Sequence, residues 1–524
     1  MKLSRLLSDI DAVWVNTAGD CRAKPIADWL PADPEISSLH HRAQEVQPGG
    51  LFMAIAGFAR DGHDFIGQAA TNGAAAIVSQ KPVEARNLIV VAVDDTRRAM
   101  AQVAARYYGH PCSQLTVIGI TGTNGKTTTA SLLESMLAEA GKKVGVIGTL
   151  NCRYASRKVP LAMTTPESLD LQHLMATMHH AGITHVVMEV SSHALDLHRI
   201  DACEVDLAVF TNLSRDHLDY HGDMASYWSC KKRLFTDHLK TGQGASQPSA
   251  VVNVDDPHGQ QLKKQLPGVV VLSTGTGDGC DVHPERVQID LNGIRGTLKT
   301  PGGPLAFTSA LIGRHNLENI LSAVGAALAL GVDTDSIRAG IEALTTVPGR
   351  LERVRDSAGR LICVDYAHTP DALEHALKAL KELTRGHLVC VFGCGGDRDR
   401  GKRCQMGAIA GRYADLTVVT SDNPRSEPPM AIIEEVLTGV TDVGAREIFP
   451  DRLDVKNGFH RYLVEPDRAN AIDLAISFTS SGDTLLIAGK GHETYQIIGN
   501  RTLPFDDGQK VREILRKLEK EAVS

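Results

Sequence analysis

The chain has 524 residues, 43% of them hydrophobic and 22% charged, with a formal net charge of −7 at pH 7; at roughly 100–200 residues per domain this length points to about three domains, and the acidic balance argues against a nucleic-acid partner. Ten cysteines with no CxxC pair and no metal-like spacing to histidine read as reduced thiols, so neither disulfides nor structural zinc are expected. The opening MKLSRLLSDIDAVWV is too interrupted by charge for a signal peptide or a membrane span, so a cytoplasmic protein without membrane insertion is expected.

In chain order, LFMAIAG from Leu51, then GHDFIGQAATNGA, then AAIVSQ read as strand, helix and strand, and LIVVAV adds a further short strand. These predict a small N-terminal α/β domain over 1–110. The strand LTVIGIT, a glycine loop and the helix TTTASLLESMLAEAG, stopped by Gly141, open a central domain over 111–346. Its apolar strands KVGVIGTL, HVVMEVS, LAVFTNL and SAVVNVDD alternate with helical or loop segments, the pattern of a parallel sheet covered on both faces. Pro348 and Gly349 punctuate the chain, and RLICVDYA, a helix from about Pro370 to Leu383, HLVCVFG, ADLTVVTSD and DTLLIAG predict a C-terminal, Rossmann-like domain over 347–524. The fold class is α/β in three domains, with ligand loops at the C-terminal ends of parallel strands.

The loop GITGTNGKTTT, Gly119 to Thr129, departs from the general phosphate-loop spacing, because Ile120 stands where a glycine is usual. Backbone N–H groups of Gly122, Thr123, Asn124 and Gly125, with the helix N-terminus behind them, suit phosphate oxygens. Lys126 adds charge, the Thr127 hydroxyl reaches Mg2+, and Thr128 completes the nucleotide set. A plain glycine-rich turn is the alternative. Glu189 ends the apolar run HVVME at the mouth of the sheet, where a carboxylate is a hard oxygen ligand for Mg2+; a solvated strand-end glutamate is the plainer reading. His217 sits in SRDHLD, a cluster that could also cap the next helix through Asp216. Lys231, in SYWSCKKRLF, reads in isolation as a surface lysine, and DNPR, Asp422 to Arg425, as a surface turn held by Pro424.

GTNGKT is the P-loop form of the Mur ligase family. MEVSSHALDLHRI, TNLSRDHLDYHGDM, GRHNLENILSA, VPGRLERV, DYAHTPDAL, GCGGDRDRGKR, DNPR and GKGHE resemble that family's motifs in the same order over most of the chain. The resemblance implies an ATP-dependent, ADP-forming amide ligase using Mg2+ in cytoplasmic peptidoglycan precursor synthesis. Its substrates would be a UDP-N-acetylmuramoyl dipeptide and meso-diaminopimelate, and a monomer is expected. A lysine-adding or folylpolyglutamate-type ligase is the alternative, with a P-loop ATPase switch behind it.

The same resemblance places His217 near the metal and the reacting phosphate, and makes Lys231 an N6-carboxylysine. Reaction of its neutral amine with CO2 would turn a cation into a metal-holding anion. It also places Asn319 near adenine, Arg350 on the ATP phosphates and Asp365 on the ribose. Arg398, Asp422, Asn423, Pro424, Arg425, Gly489 and Glu493 would hold diaminopimelate, with Arg425 forking onto the carboxylate that lysine lacks. In the N-terminal, UDP-sugar-binding domain the chain departs from the family's pattern: Leu39, His40 and His41 stand where a DSR-like run is usual, so His41 replaces the hydroxyl expected at uridine diphosphate. Leu39, His41, Thr164, Thr165, Ser191 and Arg199 form the expected nucleotide-sugar set.

Overall fold

In the computed structural model of the protein, which describes residues 1–10, 12–16, 33–57, 60–81, 83, 88–240, 249–448 and 460–523, three large sheets each gather their own core. The first comes from α1 (Leu3–Leu6), β1 (Ala12–Asn16), β2 (Leu39–His40), β3 (Leu51–Ala54), α2 (Ile66–Thr71), β4 (Ala76–Ser79), β5 (Ile89–Val93) and α3 (Thr96–Tyr107). Its order is β1-β5-β4-β3-β2, parallel except for the edge strand β1. Asp95 caps α3 by accepting from the N–H groups of Arg97 and Arg98.

The central sheet takes β6 (Thr116–Thr121), α4 (Lys126–Glu139), β7 (Val144–Ile147), β8 (Cys152–Tyr154), β9 (Arg157–Val159), α5 (Ser168–His180), β10 (His185–Glu189), α6 (Ser192–Asp196) and β11 (Leu207–Phe210). It continues through α7 (Leu218–His221), α8 (Met224–Thr236), β12 (Ser249–Asn253), α9 (Pro257–Lys264) and β13 (Val270–Thr274). The order is β13-β12-β11-β6-β10-β7-β8-β9. Strands β13 to β7 run parallel and are buried on both faces by separate clusters, so they read as unbroken apolar runs. Register sets Glu189 of β10 beside Ile120 of β6, at the edge of the glycine loop. An antiparallel trio follows, β14 (His283–Asp290), β15 (Gly293–Thr300) and β16 (Gly303–Ser309), then α10 (Arg314–Ala329) and α11 (Thr334–Ala343), which pack on α4.

The third sheet comes from β17 (Glu352–Val354), β18 (Leu361–Asp365), α12 (Pro370–Leu383), β19 (Leu388–Phe392), α13 (Gly401–Tyr413), β20 (Leu416–Val419), α14 (Pro429–Asp442), β21 (Arg446–Glu447), β22 (Arg461–Val464), α15 (Arg468–Phe478) and β23 (Thr484–Ala488). Its order is β17-β18-β23-β19-β20-β22-β21, parallel apart from β17. A hairpin of β24 (Tyr495–Ile498) and β25 (Arg501–Pro504) and the helix α16 (Asp507–Val523) close the chain.

The expectation of wholly reduced cysteines is corrected: Cys112 and Cys203 form a disulfide with Cα atoms 5.5 Å apart, and the other seven described cysteines are free. Their separation of 91 residues carries no local signal, and only packing of the turn before β6 beneath the central sheet joins them. α10 begins at Arg314, so His315 and Asn316 lie in its first turn, with Asn319 one turn further on. One local reading changes. Asp216 does not cap α7: the cap position is His217 itself, in the left-handed region at φ 54°, and Asp216 accepts its N–H.

Candidate active site

The glycine loop leaves β6 and enters α4 at the point where β6 lies between β10 and β11, a switch point of the parallel sheet. Gly122 and Gly125 both have positive φ, and a Cβ on them would sit 1.9 Å from Thr211 Oγ1 and 2.2 Å from Asn319 Oδ1 respectively. Glycine is therefore required where β11 and α10 close on the loop, whereas Ile120 is a core residue of β6. The altered spacing follows from which backbone positions are crowded. Asn212 fixes the loop by accepting from the N–H groups of Asn124, through Oδ1 at 2.9 Å, and Thr123, through its carbonyl at 2.8 Å.

Lys126 Nζ turns back to donate to the carbonyls of Gly122 and Thr123, each at 2.8 Å. Burial lowers its pKa, with Glu189 and Asp216 opposing and Arg350 adding to the shift. Glu189 is buried and receives three donors: Thr127 Oγ1 and Thr149 Oγ1, each at 2.9 Å, and the Thr149 N–H at 3.0 Å. Thr149 carried no motif signal; it follows β7, the neighbour of β10. These hydroxyl and carboxylate oxygens suit a hard divalent ion. Among the described residues no group of three or more His, Cys, Asp or Glu is placed to hold a metal alone.

Lys231 on α8 is buried, donates from Nζ to the Gly122 carbonyl at 2.8 Å, and lies 4.6 Å from the Tyr227 ring centroid. Burial, then the neighbouring Lys126 charge, hold its pKa well below the usual lysine value. It is no surface lysine; Lys232, next in the run, is partly exposed. His217 Nε2 lies 3.2 Å from Asp216 Oδ2. Desolvation, aided by Lys231 and Lys126, lowers the imidazole to about 4 against the opposing Asp216 charge. His193 packs edge-on against it at 4.8 Å.

The third sheet brings its own groups to this cavity. Arg350 Nη2 donates to Thr127 Oγ1 at 3.2 Å and its guanidinium lies 4.8 Å from the Tyr366 ring centroid. Asn124 Nδ2 donates to Asp371 Oδ2 on α12 at 3.0 Å, a contact no motif announced. Asp365 ends β18 with its carboxylate accepting from the N–H groups of Leu351 and Ala367, and burial raises its pKa. The resulting cavity of about 370 Å3 is lined by Thr123 to Thr128, Thr164, Glu189, Ser191, His217, Asn319, Arg350 and Asp365.

A second cavity, about 800 Å3, is lined by His217, Arg398, Asp422, Asn423, Arg425, Gly489 and Glu493 and shares Asp216, His217, Tyr366 and His368 with the first. DNPR follows β20 and is stitched to the final hairpin: Arg425 N–H donates to the Ile497 carbonyl at 3.1 Å, and Gly499 N–H to the Arg425 carbonyl at 2.7 Å. Arg425 holds φ 52° and donates from Nη1 to the Gly396 carbonyl at 2.7 Å. Asn423 Nδ2 donates to Glu493 Oε2 at 2.9 Å. Beneath both motifs Arg468, fully buried, donates from Nη1 to the Ser421 carbonyl at 3.3 Å and from Nη2 to the Ala488 carbonyl at 2.9 Å, while Asp507 holds it from the other side. Arg468 escaped the sequence reading because it belongs to no loop motif.

The nucleotide-sugar set is less uniform. Thr165 Oγ1 donates to the Glu189 carbonyl at 2.8 Å, Ser191 caps α6, and Arg199 is held by Glu167 at 3.2 Å. Glu167 also pairs with Arg97 of α3 at 2.6 Å, which ties the first sheet to the second. His41 Nε2 is turned to Asp170 Oδ2 at 3.1 Å. The Leu39 side chain is buried in the N-terminal core.

Three family models match the chain: the Mur ligase family catalytic domain over residues 35–108, the Mur ligase middle domain over 120–327 and the Mur ligase glutamate ligase domain over 349–491. The chain is 48% identical over 485 residues to the UDP-N-acetylmuramoyl-L-alanyl-D-glutamate--2,6-diaminopimelate ligase of Geobacter metallireducens, covering 92% of this chain and 95% of that one. It is 42% identical over 508 residues to the enzyme of the same name from Geobacillus kaustophilus, covering 97% and 98%. A solved structure of a ligase with that name superposes with a TM-score of 0.64 at 33% identity, over 92% of this chain and 95% of the other. The MurF ligase from Thermotoga maritima in complex with ADP, at 21% identity and a TM-score of 0.62 over 92% and 98% of the two chains, shares the fold.

Proposed function

The chain belongs to the Mur ligase family and is an ATP-dependent amide ligase that joins diaminopimelate to UDP-N-acetylmuramoyl-L-alanyl-D-glutamate in peptidoglycan synthesis; we propose that the two cavities meeting at His217 are its phosphate-transfer and amine-attack compartments. That shared wall carries the reading, since it sets a phosphate loop on one side and Arg398, Arg425 and Glu493 on the other. Residues 1–110 take the uridine nucleotide, 111–346 the ATP, and 347–524 the amino acid. The enzyme acts in the cytoplasm as a monomer.

In this mechanism the D-glutamate γ-carboxylate attacks the ATP γ-phosphorus, and the bond to the bridging oxygen breaks to leave ADP and an acyl phosphate. Lys126 exchanges the carbonyls of Gly122 and Thr123 for phosphate oxygens, and Arg350 approaches the same oxygens from the third domain. Both stabilise charge that would otherwise build against the loop. The free amine then attacks the acyl carbon and phosphate leaves as the amide forms. Thr127, Glu189, His217 and a carboxylated Lys231 would hold Mg2+, which supplies charge neutralisation when bound. Carboxylation requires a neutral amine and removes a buried cation, and the depressed pKa of Lys231 favours both. Arg425 forks onto the far carboxylate of meso-diaminopimelate, with Glu493 for the adjoining ammonium.

Phosphate release with ATP, Mg2+ and the UDP-muramyl dipeptide, in the presence of meso-diaminopimelate, lysine or no amino acid, tests the assignment. Release should require diaminopimelate. Equal use of lysine, or an Arg425→Ala variant whose diaminopimelate KM is unchanged, would remove the assigned role of that cavity. An unmodified Lys231 mass in active enzyme would remove the carbamate.

A further inference from the structure

The floor of the amino-acid cavity holds a cation that the motif reading passed over. Lys490, the second residue of GKGHE, is 0% exposed. Its Nζ lies 3.1 Å from Asn423 Oδ1, 3.2 Å from Glu493 Oε2 and 3.4 Å from Asp422 Oδ1, and 5.6 Å from the Tyr495 ring centroid. All four neighbours line the cavity. Asn423 Oδ1 also accepts the Ile497 N–H at 3.0 Å, so both donors fix the amide with its Nδ2 toward Glu493. A buried ammonium is costly unless paired, and an apolar side chain of similar volume would fill the space without that cost.

The charges around the cavity suggest a reason for a lysine. The cavity wall carries four Arg or Lys side chains against five Asp or Glu, and Lys490 beneath it, paired with Asp422 and Glu493, brings the balance to zero. Diaminopimelate with its attacking amine free carries two carboxylates and one ammonium, a net charge of minus one. Lysine in the same state is neutral. Without Lys490 the wall would be left one charge negative, which opposes anionic diaminopimelate more than neutral lysine.

We propose that Lys490 is a specificity-determining residue, which orients Asn423 and Glu493 and supplies the positive charge that favours a dicarboxylic amino acid over a monocarboxylic one. This rests on the assignment of the cavity to diaminopimelate. Lys490→Met removes the charge and the donors; Lys490→Gln keeps a donor for Asn423 and Glu493 without the charge; Lys490→Arg keeps both. Steady-state phosphate release by the full-length enzyme, with meso-diaminopimelate and with lysine, separates them.

In Lys490→Met and Lys490→Gln the diaminopimelate KM should rise by roughly 30-fold or more with the ATP KM within about threefold, and the preference for diaminopimelate over lysine should narrow by about tenfold. Lys490→Arg should recover most of both. A folded neutral variant that keeps the diaminopimelate KM or the preference overturns the proposal, as does a parallel rise in the ATP KM. Failure of both neutral variants to fold also counts against it, because Lys490 would then be a structural residue. Arg425→Ala is the control: if it leaves the diaminopimelate KM unchanged the cavity assignment itself fails, whereas a normal response there with silent Lys490 variants refutes only the role of Lys490.

Discussion

Asp507→Asn is the sharpest test of how the third domain holds its two amino-acid loops. Asp507 and Arg468 are both 0% exposed and meet through two bonds, Nε to Oδ1 at 2.8 Å and Nη2 to Oδ2 at 2.7 Å. An amide keeps one acceptor but sets its NH2 against a guanidinium N–H, and it leaves the Arg468 charge buried without a counter-ion. Breaking such a pair costs about 3–5 kcal/mol, a large share of the roughly 5–15 kcal/mol that holds a domain together. For a domain of this size that corresponds to a fall of roughly 10 °C in its melting temperature. Scanning calorimetry that resolves the C-terminal transition measures the loss.

The double variant Arg468→Met with Asp507→Leu should regain much of that stability, since no charge remains unpaired. It should still raise the diaminopimelate KM, because the carbonyls of Ser421 and Ala488, which precede DNPR and GKGHE, have lost their donor. A loss below about 1 kcal/mol in Asp507→Asn would refute the reasoning, since breaking a fully buried pair should cost several times that.

Three further outcomes are expected. Gly125→Ala would drive a methyl into Asn319 Oδ1 at a backbone φ of 87°, so the ATP KM should rise at least about tenfold with little change for diaminopimelate; an unchanged ATP KM would contradict the crowding. Glu167→Gln leaves Arg97 and Arg199 facing each other across the first two sheets and should cost about 3 kcal/mol in thermal unfolding, a figure that a change within about 0.5 kcal/mol would rule out. His315 and His492 are each lowered to about 4, mainly by burial, so on acidification the unfolded chain takes up their protons first. Stability should hold above about pH 6.5 and fall as pH drops toward 4, and His315→Gln should flatten the melting-temperature profile in that window; a profile that rises on acidification would refute the sign.

Much of the site could be read in the linear order. Glu189 was placed by ending an apolar strand, Lys126 and Thr127 by following a glycine loop, and the span of α12 by Pro370 at its first turn. Each of these signals is local, set by periodicity or by a turn residue. Lys231 is different: in a KKR run its chemistry is ambiguous, and only burial of α8 against the glycine loop makes one lysine of the pair a buried neighbour of Gly122.

The residues that escaped were those whose partners lie far along the chain. Thr149 meets Glu189 across 40 residues, Asp371 meets Asn124 across 247, and Lys490 meets Asn423 across 67. The Cys112–Cys203 bond belongs with them. A sequence carries element type, loop chemistry and the order of motifs because these depend on neighbouring residues. Which charge faces which, and which glycine is crowded, depends on sheet register and on how the three domains close, and those are settled only when distant strands pair and their side chains lose water together.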